Sequence, residues 1–217
     1  MSDIFREVDE EVRRERLAQL WERHSGLIVG LAVLFVVAIG CWRGYEWWDA
    51  KKAAESGSAF ETAASLAEGG KYAESQAAFA KLAAQGSSGY RMLAQFREAA
   101  ELARTDKDAG VKAYDALAAD SGLGRTLQDL AAARAGLLLV DTAPLADLAA
   151  RLEPLTTADR TFRHTARELL ALAAWRSGDQ AVAKRWFDMI TTDTETPAST
   201  RSRIDVLIAL TGTRDKG

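Results

Sequence analysis

The 217-residue sequence predicts an all-α chain in which one membrane-type helix precedes a solenoid of paired helices, and three observations carry that prediction. Ala supplies 42 residues and Pro only 3, and Ala is the best helix former and Pro the worst. From Ser25 to Trp42 no residue is charged. Beyond about residue 51, a large side chain followed three positions on by an aliphatic one returns at intervals of 35, 38 and 35 residues.

The same composition excludes whole classes. Collagenous, disulfide-stapled and intrinsically disordered chains do not have 48% hydrophobic residues with one cysteine and so little Pro. The net charge of -3 is small and of the wrong sign for a protein that neutralises nucleic-acid phosphates. Cys41, alone, forms neither an internal disulfide nor a cysteine-based metal site. His24 and His164 lie far apart, which leaves little for acid–base or metal chemistry.

The first element is a leader, residues 1–24. Ile4, Phe5, Val8, Val12, Leu17, Leu20 and Trp21 recur at helical spacing, with Asp9/Arg13 and Glu10/Arg14 as i,i+4 pairs. It is expected to be an amphipathic cytoplasmic helix running into the next segment. Its stripe would lie on lipid headgroups or dock on another membrane protein.

Residues 25–48 are expected to form a transmembrane helix with an aromatic exit. Leu27 to Ile39 reads LIVGLAVLFVVAI, apolar on every side. Trp21 stands before the run and Trp42, Tyr45, Trp47 and Trp48 after it, where interfacial aromatics anchor a span to the bilayer. Trp21 to Trp42 covers about 31 Å of helix, close to the hydrocarbon thickness. The competing interpretation is a buried helix of a soluble core. A cleavable signal fits poorly, because the leader holds five Arg against seven acids and no A-x-A site follows. Ala38-Ile39-Gly40-Cys41 loosely matches a lipoprotein processing box; otherwise Cys41 is a small residue near a helix end. Five basic residues precede the span and three (Arg43, Lys51, Lys52) follow it, which predicts a cytoplasmic N-terminus and a C-terminal part on the far side.

Residues 51–217 are expected to be one domain, beyond the membrane from the leader, of about four helix pairs and a cap. Apolar positions recur at three and four, and short breakers such as Gly69-Gly70, Ser121-Gly122 and Ser177-Gly178 separate the helices. The segments GKYAESQAAFAKL, TDKDAGVKAYDAL and GDQAVAKRWFDMI align, with Phe79/Leu82, Tyr114/Leu117 and Phe187/Ile190 in register; the degenerate PLADLAARLEPL adds Leu152/Leu155. These eight are the expected packing positions of second helices, and Ser75, Gly110 and Ala183 the small residues that let helices approach. First helices fall at about 51–68, 90–104, 125–140 and 159–176. A helix after Thr196-Pro197, carrying Ile204, Leu207, Ile208 and Leu210, would cover the open end. A period near 34–36 made of two helices is the signature of a tetratricopeptide-like solenoid, with an irregular helical bundle as the alternative.

The leader SDIFREVDEEVRRERLAQLWERHSG, the single span, the exit CWRGYEWW, the tetratricopeptide-like units and the closing RSGDQAVAKRWFDMI…PASTRSRIDVLIAL together resemble the bacterial YfgM-like family. The resemblance implies an ancillary subunit of the SecYEG translocon, anchored in the inner membrane with its C-terminus in the periplasm. It also implies a partnership with a membrane-anchored prolyl-isomerase-like chaperone.

No P-loop, Rossmann glycine pattern, G-x-S-x-G, H-E-x-x-H or EF-hand loop is present, so neither catalysis, cofactor, metal nor small-molecule substrate is expected. His164 has no second ligand at i+3 or i+4, and Asp106/Asp108 and Asp193/Glu195 suit capping better than catalysis. What remains is binding by shape. Arg91, Gln95 and Glu98 form an i, i+4, i+7 stripe, and Arg160, Arg163 and Arg167 another that suits a partner's carboxylates; either row also suits a solvated helix face. The function expected is a non-enzymatic accessory scaffold at the export machinery. The alternative is an accessory subunit of another inner-membrane complex, respiratory or envelope, held mainly by its span. A membrane-anchored enzyme would need a site of unfamiliar pattern.

Overall fold

The computed structural model describes the backbone of residues 2–214 and the side chains of Trp21 and of residues 24–210. Nine α-helices and no strand occur among the described residues, as the alanine-rich, proline-poor composition requires. Contacts divide the chain into two compact units, Met1–Ala54 and Glu55–Gly217. Helix α1 (Ser2–Glu68) contributes to both; the sequence between Trp48 and Lys51 contains no Gly or Pro to interrupt it.

In the first unit, the helical stretch beginning at His24 reaches a mean hydropathy of 2.4 and is long and apolar enough to cross a membrane. Its side chains from Leu27 to Ile39 are exposed, unlike those of a core helix. Such an exposed, continuous apolar surface suits lipid. The leader's apolar stripe, Trp21 excepted, lies outside the described side chains.

The second unit is a run of antiparallel helices: the end of α1, then α2 (Tyr72–Gln85), α3 (Ser88–Thr105), α4 (Lys107–Ala119), α5 (Arg125–Leu139), α6 (Leu145–Leu152), α7 (Arg163–Ser177), α8 (Gln180–Thr192) and α9 (Ala198–Arg214). Asp106 and Asp179 open α4 and α8 by accepting the amides of Ala109 and Val182, each at 3.0 Å, which satisfies donors that a helix start leaves unpaired. Gly178, at φ 78, ends α7 in the left-handed conformation that glycine adopts without strain. Pro154 cuts the third pair short: α6 stops at Leu152 and a 3-10 turn, Glu153–Leu155, completes it. Helix α7 starts at Arg163 rather than near 159. The residues before it make their own turn, in which the Thr157 hydroxyl donates to the Asp159 carboxylate at 2.6 Å.

The core is strung along the unit rather than gathered at a centre. Phe79, Leu82, Ala63 and Ala94 form one cluster; Tyr114, Leu117, Val111, Ala99, Ala131 and Ala135 a second. Leu148, Leu152, Leu155, Leu170, Phe187, Ile190 and Ile204 belong to the third. All eight aromatic and aliphatic positions of the repeat register are buried, and so are Ser75, Gly110 and Ala183. Burial pushes the Tyr114 phenol above its usual 10. Helix α9 lays Ile204 into the last cluster, leaving Val206 and Ile208 exposed.

Candidate protein-interaction surface

Helix α3 presents two faces of different character. At 100° per residue, Arg91, Gln95 and Glu98 share one side, and Leu93, Arg97, Ala100 and Arg104 the opposite one. The first side looks out between α2 and α4. Gln76 of α2 donates its amide to Glu98 at 3.4 Å, and α4 supplies the other wall of a groove. The groove measures about 280 Å³ and is lined by Gln95, Glu98 and Ala99 of α3, Ala113, Ala116 and Leu117 of α4, and Asp120 beyond it. Arg91 is exposed on the same stripe, one turn before Gln95. On the opposite side Arg97 and Arg104 lie over the rings of Phe79 and Tyr72, at 5.4 and 4.8 Å, and flank the buried Glu101 carboxylate at 3.7 and 3.4 Å.

The second candidate row, Arg160, Arg163 and Arg167, is engaged within the chain. Arg160 donates to both carboxylate oxygens of the buried Asp129 at 3.0 Å. Arg167, only 6% exposed, donates twice to the Thr156 carbonyl, at 3.1 and 2.8 Å, and once to Asp193 at 2.6 Å. Arg163 pairs with Glu195 and lies 3.5 Å from Asp193. These guanidinium groups fasten loops to α5 and α7, and their geometry is that of internal staples rather than of a clamp held open for a partner.

Asp193 is the centre of the staple. The Arg167 hydrogen bond, then the Glu195 amide, hold its carboxyl down at about 2, below the ordinary 3.8. His164 Nδ1 lies 3.2 Å from the Thr196 hydroxyl and 4.0 Å from Asp193. Desolvation and then the neighbouring Arg163 charge lower its pKa from 6.5, with Asp193 opposing. Arg201 of α9 donates to the carbonyls of Asp193 and Thr196 at 3.2 and 3.4 Å. Among the described residues no group of three or more His, Cys, Asp or Glu side chains is placed to hold a metal ion.

At the exit of the apolar segment, Trp42, Tyr45, Trp47 and Trp48 are all exposed, as is Trp21 at its other end. The ammonium groups of Lys51 and Lys52 stand over the indoles of Trp47 and Trp48 at 5.6 and 5.4 Å. Amphipathic rings beside long cationic side chains are the chemistry of a membrane–water boundary.

The α4 wall of the groove escapes a search for chemically active residues, because alanines carry no polar signal. The spacing Ala109, Ala113, Ala116, Asp120 is its trace in the sequence: one smooth helix face ending in a carboxylate.

Fold and surface together define the class, a helical-repeat protein for protein–protein contact that carries a membrane-type helix. A family model described as a tetratricopeptide repeat-like domain matches residues 18–204, and the chain belongs to that family. The matched range includes the apolar segment. No curated protein and no solved structure matches the chain.

Proposed function

We propose that this chain is a non-enzymatic, membrane-anchored scaffold at the SecYEG protein-export machinery, linking it to periplasmic chaperones. The observation that carries the proposal is the union, in one family-matched chain, of an apolar helix with interfacial aromatics at both ends and a tetratricopeptide-like unit. Helical repeats serve as platforms for other proteins. An anchored platform raises its effective concentration beside whatever the same membrane holds. The excess of basic residues before the span supports a cytoplasmic leader and a periplasmic C-terminal unit. The sequence resemblance to the YfgM-like family supplies the translocon and the membrane-anchored prolyl-isomerase-like chaperone as partners. Arg91, Gln95 and Glu98 are the proposed contact residues, since their stripe borders an open groove, whereas Arg160, Arg163 and Arg167 are held internally.

The test is capture through a C-terminal tag after mild-detergent extraction of native membranes, with mass spectrometry of stoichiometric partners. Recovery of SecY together with a prolyl-isomerase-type chaperone is expected. Recovery of a respiratory or envelope complex without translocon subunits overturns the proposal and makes the span the principal contact. Protease treatment of spheroplasts tests the orientation independently: a C-terminal tag should be digested, and a protected tag reverses the topology.

A further inference from the structure

The groove between α3 and α4 has a composition that selects one kind of occupant. Its floor is aliphatic: Ala99 and Leu117 are buried, Ala113 half-buried and Ala116 exposed. Its polar groups are two carboxylates, Glu98 and Asp120, and one carboxamide, Gln95. No cation lines it. At about 280 Å³ it falls just short of the roughly 300–1,000 Å³ of small-molecule sites, so it suits one or two side chains rather than a cofactor.

Both carboxylates are held from outside the groove. Asp120 Oδ1 accepts the Gly122 amide at 2.8 Å, and the Asp120 carbonyl accepts the Gln128 side chain at 3.0 Å. Glu98 Oε1 accepts the Gln76 amide at 3.4 Å. Each acid therefore has one oxygen occupied by an internal donor and one without a hydrogen bond among the described residues, on a scaffold that does not have to be ordered when a ligand arrives. A Lys or Arg side chain matches this arrangement: its methylene stem covers alanine and leucine, and its charged head meets carboxylates.

We infer that this groove seats a lysine or arginine side chain of an extended segment of a partner protein. The inference rests on the scaffold function proposed above and assigns the chemistry that one part of the scaffold selects. An acidic or uncharged polar segment is the alternative occupant that the test discriminates.

The experiment is a methyl NMR titration of the full chain in non-ionic detergent micelles, labelled at alanine and leucine methyls. The probes are three capped pentapeptides, Ala-Ala-Xaa-Ala-Ala with Lys, Gln or Glu at the centre. The Lys peptide is expected to shift the methyls of Ala113, Ala116 and Leu117, and the Gln and Glu peptides to leave them in place. Glu98→Gln should weaken the Lys response about two- to fivefold, the range of one exposed ion pair. Asp120→Asn, which keeps an acceptor for the Gly122 amide, should do the same, and added salt should weaken the wild-type response. Unchanged spectra away from the groove identify the variants as folded. No shift with the Lys peptide, an equal response to Glu, or indifference to both substitutions overturns the inference. Partner capture is a separate readout: if it succeeds while the groove stays silent, the groove assignment alone falls.

Discussion

At the scale of single residues, the most consequential position is Asp193, because Arg163, Arg167 and His164 converge on its carboxylate while Arg201 binds its backbone carbonyl. The sign of its pH effect follows from its partners. Its folded pKa, about 2, lies below the ordinary 3.8, so the stability it contributes is complete above pH 3.8 and is lost as pH falls through 2. His164 acts in the same direction by another route. Its folded pKa is also lowered, chiefly by burial, from 6.5; below pH 6.5 the unfolded chain takes up a proton that the folded one resists, and stability declines. Acidification is thus expected to weaken the tie between α7 and the α8–α9 loop in two stages. Thermal unfolding measured across pH checks this: His164→Gln should flatten the upper stage and Asp193→Asn the lower. Two variants with the wild-type pH profile would refute it. The sequence shows the arginines but not their employment, since Asp129, Asp193 and Glu195 stand 26 to 32 residues from the arginines they bind. Periodicity reveals which residues share a helix face, not which carboxylate a later loop will bring there.

At the scale of the helix pair, the all-α class and the family of the fold are legible because both follow from local signals. Alanine content, caps and a two-helix period act within a few turns. The less legible part is how a pair compensates for a changed residue. Three pairs place a small residue four positions before the large one on the second helix, at Ser75, Gly110 and Ala183. The third pair has Leu148 there, and the small residue is found instead on the first helix, at Gly136. A Cβ added to Gly136 would meet Leu152 Cδ2 at 2.8 Å. That exchange is invisible to an alignment of second helices alone, which sees only degeneracy. The two glycines are not equivalent. A Cβ on Gly110 would collide with the Cβ of Ala103 and with its backbone, so α3 and α4 must separate, whereas the Leu152 side chain can turn. Gly110→Ala should therefore destabilise the Glu55–Gly217 unit by about 1–3 kcal/mol from overpacking, despite alanine's better helix propensity. Gly136→Ala should cost less. Urea unfolding of the two variants in micelles, followed by circular dichroism, gives the comparison; an equal or reversed order would show that helix separation is not the limiting strain.

At the scale of the second unit, the repeat period reappears as the sequence separation of its polar ties. Arg151 forks onto Asp115 at 3.1 and 2.6 Å across 36 residues, Arg160 binds Asp129 across 31, Arg185 binds Glu153 across 32 and Arg203 forks onto Glu168 across 35. Each tie joins a helix, or the loop beside it, to the next helix of its own kind. This is a chain of nearest-neighbour couplings, and damage to one link should stay near that link. The links differ in strength for a physical reason. Asp129 is 6% exposed, so Arg160→Ala leaves a nearly buried carboxylate without its guanidinium, at a cost of about 2–3 kcal/mol. Glu153 and Arg185 are both about half exposed, and Arg185→Ala should cost less than about 1 kcal/mol. Hydrogen exchange read peptide by peptide distinguishes local from global effects. Arg160→Ala should speed exchange in α5, in residues 156–162 and at the start of α7, and leave α2 at its wild-type rate. A uniform acceleration from residue 55 to residue 210 would instead mean that the three core clusters unfold as one cooperative block, and that the repeats are coupled well beyond their neighbours.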